Sequence, residues 1–193
     1  MQAQDGRHEI VAKDALVAVG ANLPGEMSPE DTVRRAMAAV AALSQGGADH
    51  SALYATPAYP PGSGPDFVNA ALRLGWGGTA RALLDALHGI EAAMGRERRA
   101  RWEARVIDLD LVALGDTVLP DARTQTRWAA LPPARAGAEA PDTLILPHPR
   151  MAERGFVLVP LADVAPDWVH PVTGHSVARM LDALPGADRA AIR

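Results

Sequence analysis

The chain has no cysteine, a single lysine and few aromatic residues, and the first two shortages each remove a class of function. Without cysteine there is no disulfide framework, no thiol nucleophile and no thiolate metal site. That composition suits a reducing compartment, of which the cytoplasm is the simplest. With Lys13 as the only lysine, a phosphate loop of the G-x-x-x-x-G-K-[ST] type cannot be built, and no G-x-G-x-x-G occurs either. The longest early apolar run, residues 15–21, is too short to span a bilayer and follows Asp5, Glu9 and Asp14 rather than a basic n-region, so it reads as a strand. A formal net charge of -4 and a pI near 5.8 argue against a broad nucleic-acid-binding surface. Any handling of phosphate falls to arginine and metal.

What is present is a chain of 193 residues, 48% hydrophobic, enough for one core. We read a single domain over 1–193, with 1–14 a flexible tail and 120–142, rich in Ala, Pro and Arg, an exposed insertion. "LVAVGAN" reads as a buried strand ending at Gly20. "MSPEDTVRRAMAAVAAL" reads as a helix with Ser28 as N-cap, Pro29 at its first position, Asp31 completing a capping box, and Val33, Met37, Val40 and Ala41 as its stripe. "SALYAT" and "FVNAALRLGW" read as strands, the second with Val68, Ala70, Leu72, Leu74 and Trp76 on its core face and Phe67, Asn69, Ala71 and Arg73 on the other. Thr79 caps a helix to about Met94, with Leu83, Leu87, Ile90 and Met94 inward. The order strand, helix, strand, strand, helix, strand predicts an α+β, ferredoxin-like sandwich: an antiparallel sheet, both helices on one face, and the other face open. "FVLVPL" reads as a further short strand, and a helix is expected around 177–184.

The chemistry concentrates around "GRERRARWEARVIDLDLVALG". Alternation puts Ile107, Leu109, Leu111 and Ala113 on one face and Val106, Asp108, Asp110 and Val112 on the other. Both carboxylates then point the same way from α-carbons roughly 6.5 to 7 Å apart, given the strand rise. Such a pair can simply be a solvated face, or it can hold a hard divalent cation such as Mg2+. Arg96, Arg98, Arg99, Arg101 and Arg105 precede it. A charge run is often only solvated surface, but guanidinium matches phosphate oxygens, and together the two features favour phosphoryl transfer. Phe67 shares a face with Asn69 and can stack on a flat heterocycle whose edge Asn69 reads. His148 reads first as a turn residue, although His148, Arg150 and Arg154 could add phosphate donors. His170 and His175, with no acidic or thiol partner in metal-like register, are expected at the surface.

The stretches "AVGANL", "SALYATPAY", "FVNAALRL", "IEAAMGRERRARWEARVIDLDLVALG" and "LPHPRMAERGFVLVPL" resemble, in order and spacing, the successive signatures of the 6-hydroxymethyl-7,8-dihydropterin pyrophosphokinase family, from about residue 15 to 171. The resemblance implies transfer of pyrophosphate, as one unit, from ATP to the hydroxymethyl group of 6-hydroxymethyl-7,8-dihydropterin, leaving AMP, in folate biosynthesis. It implies Asp108 and Asp110 as ligands of two Mg2+ ions, and Arg96 and Arg105 as the catalytic arginines. It further implies Thr56, Pro57, Phe67, Asn69, Trp102 and Phe156 as the pterin pocket, and Glu91, Arg98, His148 and Arg154 as ATP-binding residues. The protein is expected to be a cytoplasmic monomer without nucleic-acid or membrane partners. The chain departs from the family pattern at Glu103 and Ala104, where Gly-Pro is usual, at Ala21 in place of Ser, and at Thr143 in place of a basic residue that Arg127 or Arg135 could replace. Two other readings stay open on the residues alone: a non-catalytic ferredoxin-like metabolite-binding module, and a two-metal phosphotransferase with another acceptor.

Overall fold

The computed structural model describes residues 12–23, 27–44, 46–58, 64–95, 106–132, 135 and 139–193. Its sheet is antiparallel, with β1 (Lys13–Ala21) at the centre between β4 (Phe67–Trp76) and β5 (Asp108–Leu114). Two short strands, β2 (Ala48–His50) and β3 (Tyr54–Thr56), both pair with the outer side of β4. β1 begins at Lys13, inside the stretch 1–14 read as a tail, and β2 has no counterpart in the sequence reading because three residues are too few for a period to register.

Helices α1 (Pro29–Ala41) and α2 (Ala80–Ala93) cover one face. The Ser28 hydroxyl accepts the Asp31 N–H at 3.1 Å and donates to the Asp31 carboxylate at 2.9 Å, with Pro29 at the first position. Thr79 accepts the Ala82 N–H in the same way, and Gly95, at φ +89°, closes the far end of α2 in a conformation that favours glycine. Val33, Val40, Leu83 and Leu87 reach zero exposure against Val17, Leu72 and Leu74 of the sheet. The two helices and the core face of β4 are those expected from side-chain period and capping. Among the described residues no helix is long and apolar enough to cross a membrane.

The second face is not open along its whole length. "FVLVPL" is not a strand: it lies in helix α4 (Gly155–Val164), which packs on β4 and β1. A short apolar run cannot be assigned to strand or buried helix by period alone. Here Val157, Leu158, Leu161 and Val164 recur at helical spacing and all turn inward. They build a second core with Leu16, Ala71, Val112 and Ala113, joined by Val177 and Met180 of α5 (Val177–Ala183). Asp163 fastens α4 to the sheet edge, accepting the Ala52 N–H at 3.0 Å and the Tyr54 hydroxyl at 2.9 Å.

Two further expectations need correction. Ala113 leaves the face of Leu109 and Leu111, because β5 bulges at Val112: Leu16 pairs with Ala113 while Val17 pairs with Leu111. One extra residue reverses the alternation beyond it, so Ala113 joins the second core and Leu114 the first. His170 is buried at 3% exposure, its Nδ1 accepting the N–H groups of Val172 and Thr173 and its ring edge-on to Trp168, while His175 is exposed. A helix, α3 (Ala122–Ala129), forms within 120–142, capped by Asp121 and tied down by buried Gln125, which donates to the Pro147 carbonyl.

Leu158→Ala should cost roughly 2 to 5 kcal/mol, as for other fully buried leucines, whereas Phe156→Ala, two residues away but 41% exposed, should cost under about 1 kcal/mol. Equal losses for the two variants in denaturant unfolding would refute the packing of α4.

Candidate functional site

The cleft is built by cross-strand register. On the face away from α1 and α2, Gly20 of β1 pairs with Asn69 of β4 on one side and Asp108 of β5 on the other. In the next row Ala18 pairs with Ala71 and Asp110. Directly paired residues project to the same side of a sheet, so Asn69 and both acids rise around a low floor of glycine and alanine. With strands about 4.8 Å apart, Asn69 and Asp108 stand about 10 Å from one another across β1. α4 stops short of this end, and the space left open is a cleft of about 480 Å³.

Of the site residues expected from sequence, Thr56, Pro57, Phe67, Asn69, Asp108, Asp110, Arg154 and Phe156 all line that one cleft. Asn69 is buried at 5% exposure, and its amide donates to the Thr56 hydroxyl at 2.7 Å. Arg154 lies 3.9 Å from the Asp110 carboxylate and 5.6 Å from the Phe156 ring centroid, with 28% of its side chain accessible. Burial holds its pKa below the ordinary arginine value, and Asp110 opposes that shift. Arg150 also lines the cleft, its guanidinium paired with Glu153. Ala18, Val19, Gly20 and Val157 complete the lining and were not expected there. Small or apolar side chains carry no chemical signal in a sequence; only the strand pairing reveals them.

Other expected residues lie elsewhere. Glu91, at 1% exposure, accepts the Leu109 N–H at 2.9 Å. It is not among the residues lining the cleft. Leu109 sits between the two acids on the free edge of the sheet, so Glu91 fixes the backbone from which both project. Arg127 and Arg135 are not in the lining, and Arg135 pairs with Glu139 at 2.7 Å. Arg96, Arg98, Trp102 and Arg105, together with Glu103 and Ala104, lie outside the described residues.

His148 stands behind the acids. Its N–H donates to the carbonyl of Val112, the bulge residue, at 2.8 Å, and its Nδ1 accepts the Arg150 N–H at 3.1 Å. Burial chiefly, then the positive charges of Arg154 and Arg150, push its pKa down to about 3. Part of the residue stays accessible, which tempers the burial effect, but the two guanidinium groups act in the same direction. A neutral ring whose Nδ1 accepts carries its proton on Nε2.

Among the described residues no group of three or more His, Cys, Asp or Glu side chains converges on one point. The acid pair nevertheless fits Mg2+, which is commonly held by one or two carboxylates with substrate phosphates and waters completing its shell.

The family model described as 7,8-dihydro-6-hydroxymethylpterin-pyrophosphokinase matches residues 16–166. A 2-amino-4-hydroxy-6-hydroxymethyldihydropteridine pyrophosphokinase from Pseudomonas aeruginosa is 34% identical over 170 residues, covering 88% of this chain and 90% of the relative. The enzyme of the same name from Synechocystis is 32% identical over 169 residues, covering 87% and 74%. Among solved structures, the Plasmodium falciparum HPPK-DHPS triple mutant superposes with a TM-score of 0.62 at 14% identity, over 91% of this chain. The chain spans 45% of that longer protein, so the likeness speaks for the fold.

The depressed His148 pKa has a defined sign. Above pH 6.5 the ring is neutral in both folded and unfolded chains and adds no pH dependence. Between about 6.5 and 3 the unfolded chain takes up a proton that the folded one refuses, so stability falls as pH falls across that window. The His148 ring should therefore show no protonation in an NMR titration between pH 8 and 5, and His148→Gln should flatten the acid side of the stability profile. A titration midpoint near 6.5 would contradict the arrangement.

Proposed function

The chain belongs to the 7,8-dihydro-6-hydroxymethylpterin-pyrophosphokinase family, and we propose that the cleft over Gly20 is where pyrophosphate passes from ATP to 6-hydroxymethyl-7,8-dihydropterin. The activity is ATP-dependent pyrophosphoryl transfer in folate biosynthesis. The observation that carries the assignment of the site is the row Asn69, Gly20, Asp108 on three adjacent strands, which joins a heterocycle-reading amide to a phosphate-handling acid within one cleft.

In this reading the pterin lies against Phe67 and Phe156, its edge read by Asn69 and Thr56, with Pro57 and Trp102 completing the pocket. Its hydroxymethyl oxygen reaches toward Asp108 and attacks the β-phosphorus of ATP. The bond from that phosphorus to the α-phosphate bridging oxygen breaks, AMP leaves, and the hydroxyl proton passes to solvent or to a phosphate oxygen. Asp108 and Asp110 would hold Mg2+, two ions when ATP is bound, and the metal would supply charge neutralisation for the phosphates. Arg154, His148 and Arg98 serve the nucleotide, Glu91 acts on it only through the β5 backbone that it holds, and Arg96 and Arg105 act at the reacting phosphates. No protein nucleophile is needed, since phosphoryl transfer asks for positioning and charge neutralisation. We read the protein as a cytoplasmic monomer that binds neither nucleic acid nor membrane.

Protein incubated with Mg2+, ATP and the hydroxymethyl-dihydropterin should release AMP. ADP would indicate ordinary kinase chemistry, and neither product a binding module. Asp108→Ala or Asp110→Ala should lower the rate by several powers of ten, each tenfold being about 1.4 kcal/mol. A variant within about tenfold of the parent would sink the metal assignment. Arg105→Ala should slow the single-turnover step more than it weakens ATP binding, and an unchanged single-turnover rate would remove Arg105 from the chemistry.

A further inference from the structure

Gly20 is an ordinary strand residue: it lies inside β1, paired on both sides, and is absent from the glycines with positive φ. Its backbone would accept any side chain, so its lack of one must be explained by space. A Cβ built on Gly20 would lie 2.9 Å from Oδ1 of Asn69 and 3.9 Å from its Cγ, and among the described residues, its chain neighbours apart, no other atom comes within 4 Å. The carboxamide of Asn69 therefore occupies the volume that a side chain at position 20 would take. Its other end is fixed, since Nδ2 donates to the Thr56 hydroxyl at 2.7 Å. Thr56 itself is buried at 6% exposure and shares the face of its strand partner Phe67.

Resting on the reading of this cleft as the pterin site, we infer that Gly20 is a positioning residue for substrate recognition, whose missing side chain lets the Asn69 carboxamide lie in the one orientation that presents its oxygen to the heterocycle. The amide is clamped between two neighbours. The Thr56 hydroxyl accepts from the amino end of the amide, and the bare Gly20 backbone lets the acceptor end lie low over β1. A flat heterocycle with N–H donors beside a carbonyl demands a fixed order of donor and acceptor, and an amide turned out of place offers the wrong one. Addition of one methyl at position 20 would rotate the amide and break its bond to Thr56. The fold would survive, because the only atoms displaced are the end of a side chain. The ATP side of the cleft, on β5, would not be touched.

The test is Gly20→Ala. Binding of 6-hydroxymethyl-7,8-dihydropterin is titrated in the presence of Mg2+ and a non-hydrolysable ATP analogue, and binding of the analogue alone is measured beside it. The variant should melt close to the parent and bind the pterin about tenfold or more weakly, while analogue affinity stays within about twofold. The side-chain amide resonances of Asn69, identified by their disappearance in Asn69→Ala, should shift in Gly20→Ala without any ligand. Thr56→Val, which removes the anchor and leaves position 20 alone, should give the same pterin-selective loss. Unmoved amide resonances, an unchanged pterin affinity, equal losses for pterin and analogue, or an unfolded Gly20→Ala would each overturn the inference. A parent protein that binds the analogue but no pterin would overturn the pterin reading itself, and the inference with it.

Discussion

The register of β1 between β4 and β5 is the constraint on which the rest of the structure depends. Side chains alternate along a strand, so a slip of one residue in either pairing would send a set of leucines into the cleft and the acids or Asn69 into the core. Burial prevents such a slip. Val17 and Val19 of β1, Leu72 and Leu74 of β4, and Leu109 and Leu111 of β5 all enter the same apolar layer beneath α1 and α2. At roughly 1.5 to 3 kcal/mol for each large side chain buried, a slipped sheet would forfeit far more than any single polar contact in the cleft could return. The site is accurate because the opposite face of the sheet is greasy.

The same sheet must serve two roles on its second face, and the bulge at Val112 divides them. On the Asp108 side of the bulge the face carries the two acids; on the other it turns Val112 and Ala113 into the second core beneath α4. The bulge carbonyl is used as well, taking the N–H of His148 and so bringing Arg150, and Arg154 after it, to the acids. Glu91 completes the frame from below by holding the Leu109 N–H at a free strand edge. A bulge, a side-chain acceptor and a helix that ends early thus turn a plain sheet face into half core and half cleft.

Much of this was legible in the sequence because its signals are local. Ser28 and Thr79 announce their helices through side-chain caps, and the alternation in "FVNAALRL" and "IDLDL" assigns faces without reference to any other strand. What escaped is non-local. "FVLVPL" has the composition of a strand and is a helix because its apolar residues are needed against β1 and β4. His170 is buried because a turn supplies two N–H groups to its ring nitrogen, a partner that sequence alone does not place. The bulge leaves no mark in the alternation until the partner strand is known. Gly20 and Ala18 are silent for the same reason, being defined by what stands on either side of them.

Under the proposed function, a chain of net charge -4 must accept a polyanion in a cleft that carries acids and cations together. The cations that line it already have partners: Arg150 is paired with Glu153, and Arg154 faces Asp110 from 3.9 Å while resting over Phe156. The Arg154 contact is long for an ion pair and partly solvated, so it is the weaker of the two and the easier to exchange. Hard cations arriving with a nucleotide would satisfy Asp108 and Asp110 better than a guanidinium does, and Arg154 would then be released toward phosphate oxygens, which its fork fits bidentately. Nucleotide and metal would in that way each create the other's site. Asp108 and Asp110 carry -2 and Arg150 and Arg154 carry +2, and a cleft without net charge among these four lining residues avoids holding nucleotide or metal alone.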